Sequence, residues 1–321
     1  MLTVLVNLQG SVRKASMIDP SWLKPESTAT VWVDLAAPTI EEASILKSVF
    51  HFHDLAVEDA LSESHHPKVE SYGDYLYVIM HGIDFEAAKH RFATHDTDFF
   101  VGPTYLVTVH DGTSRSITEL RDICQRNEHA LSGGPMALLH RIVDVMVDNY
   151  GPEVEKLADR LEELEHRIFD RPNDNLVKPL LGLKRDVASM RRVVLPQRDV
   201  VGRLARREFA SINEQISYRF RDVYDHLVRL TDESMLFHDR LSSLLDAHLT
   251  SVSTRLNQVM KVLTVIATIF MPLTVLTGMW GMNVPLPAFP GGEMAQFWWV
   301  LGIMLTVSGV MLWLFHRRDW I

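Results

Sequence analysis

The sequence predicts an α+β membrane protein: a cytosolic α/β domain, a long helical stem and two C-terminal transmembrane helices, copies of which form a homo-oligomeric funnel. Three observations carry that expectation. Two uncharged apolar runs lie near the C-terminal end, no proline occurs between Pro196 and Pro272, and the first 110 or so residues mix short strand-like and helical segments.

The apolar runs come first because they are the least ambiguous. Val262 to Gly281 gives 20 uncharged residues and Phe297 to Phe315 gives 19, each enough to cross a hydrocarbon core as a helix. Two such runs flanking a short loop rich in proline and glycine read as a membrane hairpin. Arg255 and Lys261 precede the first run, Arg317 and Arg318 follow the second, and the loop between them holds neither Lys nor Arg. Short cationic segments stay on the cytoplasmic side, so both termini are expected in the cytoplasm of a cell whose inner (plasma) membrane carries the protein. The N-terminal Met1 to Asn7 has no basic stretch ahead of it and reads as a first strand rather than a signal peptide.

The stem follows from the missing prolines. Tyr218 to Gly281 as one helix would run about 95 Å at 1.5 Å per residue, too long for the core of one compact domain. Ahead of it, Met136 to Met260 reads as long helices. Pro172 divides an acidic hairpin and Pro196 is expected to end its second helix. Strands are expected at Met1–Leu8, Ala29–Leu35, Asp74–Met80, Thr97–Val101 and Tyr105–His110, with helices at Thr39–Phe50 and His53–Ser62. The expected organisation is thus an α/β domain over 1–135, an acidic hairpin over 136–196, a stem over 197–261, a pore helix over 262–281, an external loop over 282–296, a second span over 297–315 and a basic tail over 316–321.

Composition excludes several classes. The net charge of −9 argues against a nucleic-acid partner, which needs a basic surface. The single Cys124 excludes a disulfide framework and a thiolate metal site, and fits a reducing compartment. No Gly-rich phosphate loop, His-Glu-x-x-His or nucleophile elbow is present, so no enzyme is expected.

One face of the stem runs through Asp246, Ser253, Asn257, Met260, Thr264, Ala267, Met271, Thr274 and Gly278, within an arc of roughly 100° at about 100° per residue. Leu263 is counted with them as pore-lining. A helix-bundle seam would want continuous Leu, Ile and Val, whereas Asp, Ser and Asn in succession suit a water-filled path. Two spans cannot enclose such a path, so a ring of identical chains within membrane lipid follows. Met260 and its neighbours would then be an apolar constriction that gates by dewetting, with an Asp246 ring concentrating cations.

The first span ends in Thr277-Gly278-Met279-Trp280-Gly281-Met282-Asn283. With Asn257-Gln258-Val259-Met260-Lys261-Val262-Leu263-Thr264 and Ile269-Phe270-Met271-Pro272-Leu273-Thr274 ahead of it, this resembles the CorA family of divalent-cation channels, marked by Gly-Met-Asn at this place. The resemblance implies a pentameric channel for Mg²⁺, and also Co²⁺ or Ni²⁺, with Gly281, Met282 and Asn283 as selectivity filter. The chemistry agrees. Mg²⁺ sheds water reluctantly, and neutral Asn283 amide oxygens and Gly281 carbonyls suit the hydrated ion. Gly281 and Asn283 are equally residues of a left-handed helix cap. Trp280 stands where the family usually has Tyr or Phe, and the Pro285 to Glu293 loop differs from the usual acidic one. A Zn²⁺ transporter of the same superfamily, with proton coupling, is therefore the alternative.

Leu55-Ala56-Val57-Glu58-Asp59-Ala60-Leu61, with His66-Pro67-Lys68-Val69-Glu70 after it, and Phe220-Arg221-Asp222-Val223-Tyr224-Asp225-His226 are also similar to the family. The resemblance implies that Asp59 and Asp222, with Glu58 beside them, bind Mg²⁺ across a subunit interface and hold the pore closed when cytosolic magnesium is ample. The segment from Asp144 to Asp174 holds ten acids against four Lys or Arg, and reads residue by residue as the wet face of the hairpin. His51, His53, His65 and His66 raise the question of zinc, but offer no clear fourth ligand.

Overall fold

The computed structural model describes all residues except 63–65, 87–90, 128–130, 171–175, 283–291, 319 and 321. It divides into two compact units, Met1–Leu244 and Leu245–Ile321.

The first unit is built on a seven-stranded sheet. In chain order its strands are β1 (Leu2–Leu8), β2 (Ser11–Ala15), β3 (Thr30–Ala36), β4 (Lys68–Ser71), β5 (Leu76–Glu86), β6 (Arg91–Val101) and β7 (Tyr105–His110), and they lie side by side as β2-β1-β3-β7-β6-β5-β4. Neighbours are antiparallel except β3 and β7, which pair in parallel from Val31 opposite Tyr105 to Ala36 opposite His110. That pair lies mid-sheet with both faces covered, which is why Tyr105-Leu106-Val107-Thr108-Val109-His110 is buried throughout instead of alternating.

Over one face lie α1 (Ile40–Ala43), α2 (Ile45–Ser48) and α3 (Asp54–Leu61), and Leu46, Phe52, Ala56 and Val57 enter the core there with Val33, Tyr77, Phe100 and Val107. The stretch expected as one helix over Thr39–Phe50 is two short ones meeting at Ser44. The Ser44 hydroxyl donates to the Glu41 carbonyl at 2.6 Å, a local bond that competes with helix continuation. Over the other face lie α4 (Arg115–Arg126) and α5 (Pro135–Asp148). Beneath α4 the buried Asp34 accepts from Thr108 at 2.7 Å and from Arg121 at 3.3 Å, so the charge that β3 carries inward is met by a cation.

Helices α6 (Gly151–Asp170), α7 (Val177–Ala205) and the start of α8 (Glu214–Trp280) pack as a bundle. Val154, Leu157, Leu161, Leu164 and Ile168 are buried at three- and four-residue spacing, as are Ile216, Phe220, Val223, Leu227 and Leu230 on α8. Arg160 of α6 reaches Asp186 of α7 at 2.7 Å, and Arg240 of α8 reaches Glu165 at 2.5 Å. One boundary differs from expectation: Pro196 does not end α7 but lies inside it, while the stem helix, expected from Tyr218, begins at Glu214. The reason is the residue after the proline: fully buried Gln197 accepts from the His81 backbone at 3.2 Å and donates to the Tyr150 hydroxyl at 2.6 Å, fastening the continued helix to β5. Pro172 lies outside the described residues.

The second unit holds the rest of α8 and α9 (Glu293–Arg317). Each contains an apolar window long enough to span a membrane, 6% buried in α8 and none of it in α9. A core helix of a soluble protein would be mostly covered, so these windows are surfaces for lipid or other protein.

Candidate ion pathway and metal-responsive acids

On the membrane part of α8 the less exposed side chains are Val265, Thr268, Ile269, Pro272, Leu273 and Leu276. At about 100° per residue this side is centred roughly 140° from the polar stripe. The stripe is exposed along its whole length, at Asp246, Ser253, Asn257, Met260, Leu263, Thr264, Ala267, Met271, Thr274 and Gly278. Its hydroxyls are anchored. Thr264 donates to the Met260 carbonyl at 2.7 Å and Thr274 to the Phe270 carbonyl at 2.9 Å, so each spends its proton within the helix and keeps oxygen lone pairs outward. Leu263, Thr264, Ala267 and Met271 also border an apolar groove of about 910 Å³ whose other wall is Ile303, Val307 and Met311 of α9.

At the end of α8, Gly281 donates its N–H to the Thr277 carbonyl at 2.9 Å and Met282 to that of Met279 at 3.3 Å. The left-handed cap considered for Gly281 is not what the backbone adopts, since Gly281 is not among the positive-φ glycines. A Cβ at Gly281 would sit 3.1 Å from the Thr277 carbonyl oxygen, a tight contact that the last turn would have to relieve by a small shift. Gly281 and Met282 are exposed. Asn283 lies outside the described residues.

The acids form two neighbourhoods in the first unit. Asp222 is exposed on α8, and the fields of Asp222 and Asp148 act on the carboxyl of Asp144 on α5. Burial pushes that carboxyl above the usual aspartate range; His140 opposes the shift, and Asp148 and Asp222 add to it. His226, one turn after Asp222, lies 3.6 Å from Asp148. The four-residue spacings Asp144/Asp148 and Asp222/His226 are the sequence signal for this grouping. The second neighbourhood centres on Asp59 of α3, whose Oδ2 takes the Lys68 ammonium of β4 at 2.7 Å, while Glu58 is exposed. Lys68 also reaches Glu70 at 3.1 Å, and Tyr72 donates to the same Glu70 oxygen at 3.2 Å.

Among the described residues no three His, Cys, Asp or Glu side chains of one chain are placed to hold a metal ion. Of the histidines raised for zinc, His51 and His66 are exposed, and His65 lies outside the described residues. His53 caps α3, its Nδ1 accepting the Leu55 N–H at 3.2 Å.

A further titratable pair went unnoticed in the sequence. Tyr77 donates to Asp98 at 2.5 Å inside the sheet core, and burial pushes the Asp98 carboxyl up to about 7.

A mixed sheet with a helical bundle, a long helix bearing a polar stripe and a second apolar helix define a two-span membrane protein with a folded extramembrane domain. Its kinship is specific. The family described as CorA-like Mg2+ transporter protein matches residues 27–317, and the chain belongs to that family. YfjQ of Bacillus subtilis, named for metal ion transport, is 32% identical over 90% of this chain and 89% of its own. The cobalt/magnesium transport protein CorA of Thermotoga maritima is 29% identical over 92% of this chain and 85% of its own. The complete structure of the CorA magnesium transporter from Methanocaldococcus jannaschii superposes with a TM-score of 0.84 at 23% identity, covering 100% of this chain and 99% of that one, a likeness of fold.

Proposed function

We propose that the protein is a channel, not an enzyme, that conducts hydrated divalent cations, Mg²⁺ foremost, across the inner membrane along the axis of a homopentameric ring. The carrying observation is the exposed polar and small stripe of α8, turned away from the side that the chain itself covers, in a member of a magnesium-transporter family. Five such stripes around an axis give a lumen where Asp246 and Asn257 draw cations in, Met260 narrows the path, and Thr264 and Thr274 offer oxygens to the ion's waters. Gly281, Met282 and Asn283 form the outer filter. The loop over 282–296 faces outward and both termini face the cytoplasm, in keeping with Arg255, Lys261, Arg317 and Arg318 at the inner ends of the spans.

Regulation rests on the acids. Asp222, with Asp144 and Asp148 beside it, presents negative charge that a single chain does not neutralise with a metal. Asp59, with Glu58, supplies the opposing carboxylates from the next subunit. Mg²⁺ between them holds the pore closed, and its loss frees like charges to repel.

Growth of a cell deficient in magnesium transport tests the reading. The wild-type protein should restore growth in low Mg²⁺, and Asn283→Ala should not. Equal rescue by both removes the filter from the account. Rescue by neither, with the wild type instead restoring a zinc-starved strain, replaces Mg²⁺ by Zn²⁺ as cargo.

A further inference from the structure

The regulatory carboxylate Asp59 already has a cation of its own. The Lys68 ammonium lies 2.7 Å from Asp59 Oδ2 and 3.1 Å from Glu70, and over the Tyr77 ring at 5.3 Å from its centre. These contacts come from three elements, α3, β4 and β5, so the ammonium is seated and not a stray surface charge.

From this geometry we infer that Lys68 is a built-in competitor for the regulatory metal: it occupies Asp59 when the metal is absent and moves onto Glu70 when the metal arrives, thereby setting the Mg²⁺ concentration at which the protein closes. The inference rests on the reading of Asp59 as a metal-binding residue. A divalent ion approaching Asp59 meets a carboxylate whose charge is already half answered, so its affinity is lower than that of a bare acid. Displacing the lysine is nevertheless cheap. Glu70 is in reach on its own strand, and the Tyr77 face retains the charge without any carboxylate. Tyr72 donates to Glu70 at 3.2 Å and so fixes the receiving oxygen in place. The device gives a regulatory threshold that is graded by ordinary side chains and requires no second metal.

The test is Mg²⁺-dependent protection of the full-length purified protein from chymotrypsin, which cuts chiefly after aromatic residues and leucine and slowly after methionine, so each Met variant is run beside its Gln counterpart. Lys68→Met should lower the Mg²⁺ concentration for half-protection by roughly threefold to fivefold, the range expected for loss of a partly exposed ion pair. Lys68→Arg should stay near wild type, and Glu70→Gln, which removes the receiving carboxylate, should raise the concentration. Lys47→Met, which breaks the exposed Lys47–Asp54 pair on the same side of the sheet, is the control and should change nothing. Thermal unfolding of each variant without Mg²⁺ separates misfolding from altered binding, and Lys68→Gln serves if the Met variant does not fold. Asp59→Asn distinguishes the two layers of the argument. If Asp59→Asn leaves half-protection at the wild-type value, Asp59 is not a metal-binding residue and both readings fall. If Asp59→Asn raises it while Lys68→Met and Lys68→Gln match wild type, the site stands and the competing lysine is overturned.

Discussion

At Asp98 burial and charge are in direct opposition. The carboxyl is buried under the sheet core with the Tyr77 hydroxyl 2.5 Å away, and burial lifts it from the ordinary 3.8 to about 7. A raised acid keeps its proton in the folded chain after the unfolded chain has lost it. Its contribution to stability is therefore complete below about pH 4 and is lost as pH rises toward 7. Asp98→Asn keeps an acceptor for Tyr77 and cannot ionise. Relative to wild type, its melting temperature should improve by several degrees between pH 5 and pH 7 and level off above that. A constant difference at every pH in thermal melts would show that Asp98 ionises freely in the fold. Nothing in the residues near Asp98 announced this role, because the pairing with Tyr77 joins β5 to β6 across 21 positions. Lys68 was visible within a familiar stretch, but its grip on Asp59 depends on β4 turning back beneath α3.

Elements were legible where a one-dimensional signal was strong. The span over 262–281 lies within α8 but for its last residue, and that over 297–315 lies within α9, because lack of charge over about 20 residues needs no partner to be read. The short strands β2 and β4 were missed: Ser11-Val12-Arg13-Lys14-Ala15 and Lys68-Val69-Glu70-Ser71 are edge strands, partly exposed and charged, and only the sheet beside them makes them strands. Pro196 was misread for the same reason, since the helix survives its missing N–H through contacts made beyond it. Gln197 is the fastening. It accepts from His81 N–H at 3.2 Å and donates to Tyr150 at 2.6 Å, and Tyr150 in turn donates to the His81 carbonyl at 2.9 Å. Gln197→Leu takes the acceptor from the buried His81 N–H and one of the two bonds from the Tyr150 hydroxyl, and should cost about 1–3 kcal/mol, seen as a lower urea midpoint. A loss under about 0.5 kcal/mol, the scatter of ordinary surface changes, would mean that apolar packing by Val200, Val201 and Leu204 alone carries α7 past the proline.

For the whole molecule, a single chain leaves its apolar windows 6% and 0% buried and its polar stripe exposed, so the functional unit is larger than the chain. Lipid can cover the apolar surface and Thr264 and Thr274 spend their protons within the helix, but lipid offers the Asn257 amide no partner, whereas copies of the same row around an axis share water. Met260 is then the pivotal position. It is 65% exposed in the single chain, between Asn257 and Thr264 on the stripe, and in the proposed ring the thioethers converging there would exclude water from a narrow path. Met260→Asn puts a hydrogen-bonding group at that level and should keep the path wet. In proteoliposomes holding Mg²⁺ at a closing concentration, flux through Met260→Asn should exceed wild type by roughly tenfold, which corresponds to about 1.4 kcal/mol off the barrier. Val259→Asn is the counterpart. It adds the same amide at the same depth, about 100° around the helix from the stripe. On the ring arrangement Val259→Asn faces neighbouring helices or lipid and leaves the closed flux unchanged. If both substitutions raise flux alike, the amide acts by loosening the bundle; if only Val259→Asn does so, the lumen lies on the other side of α8.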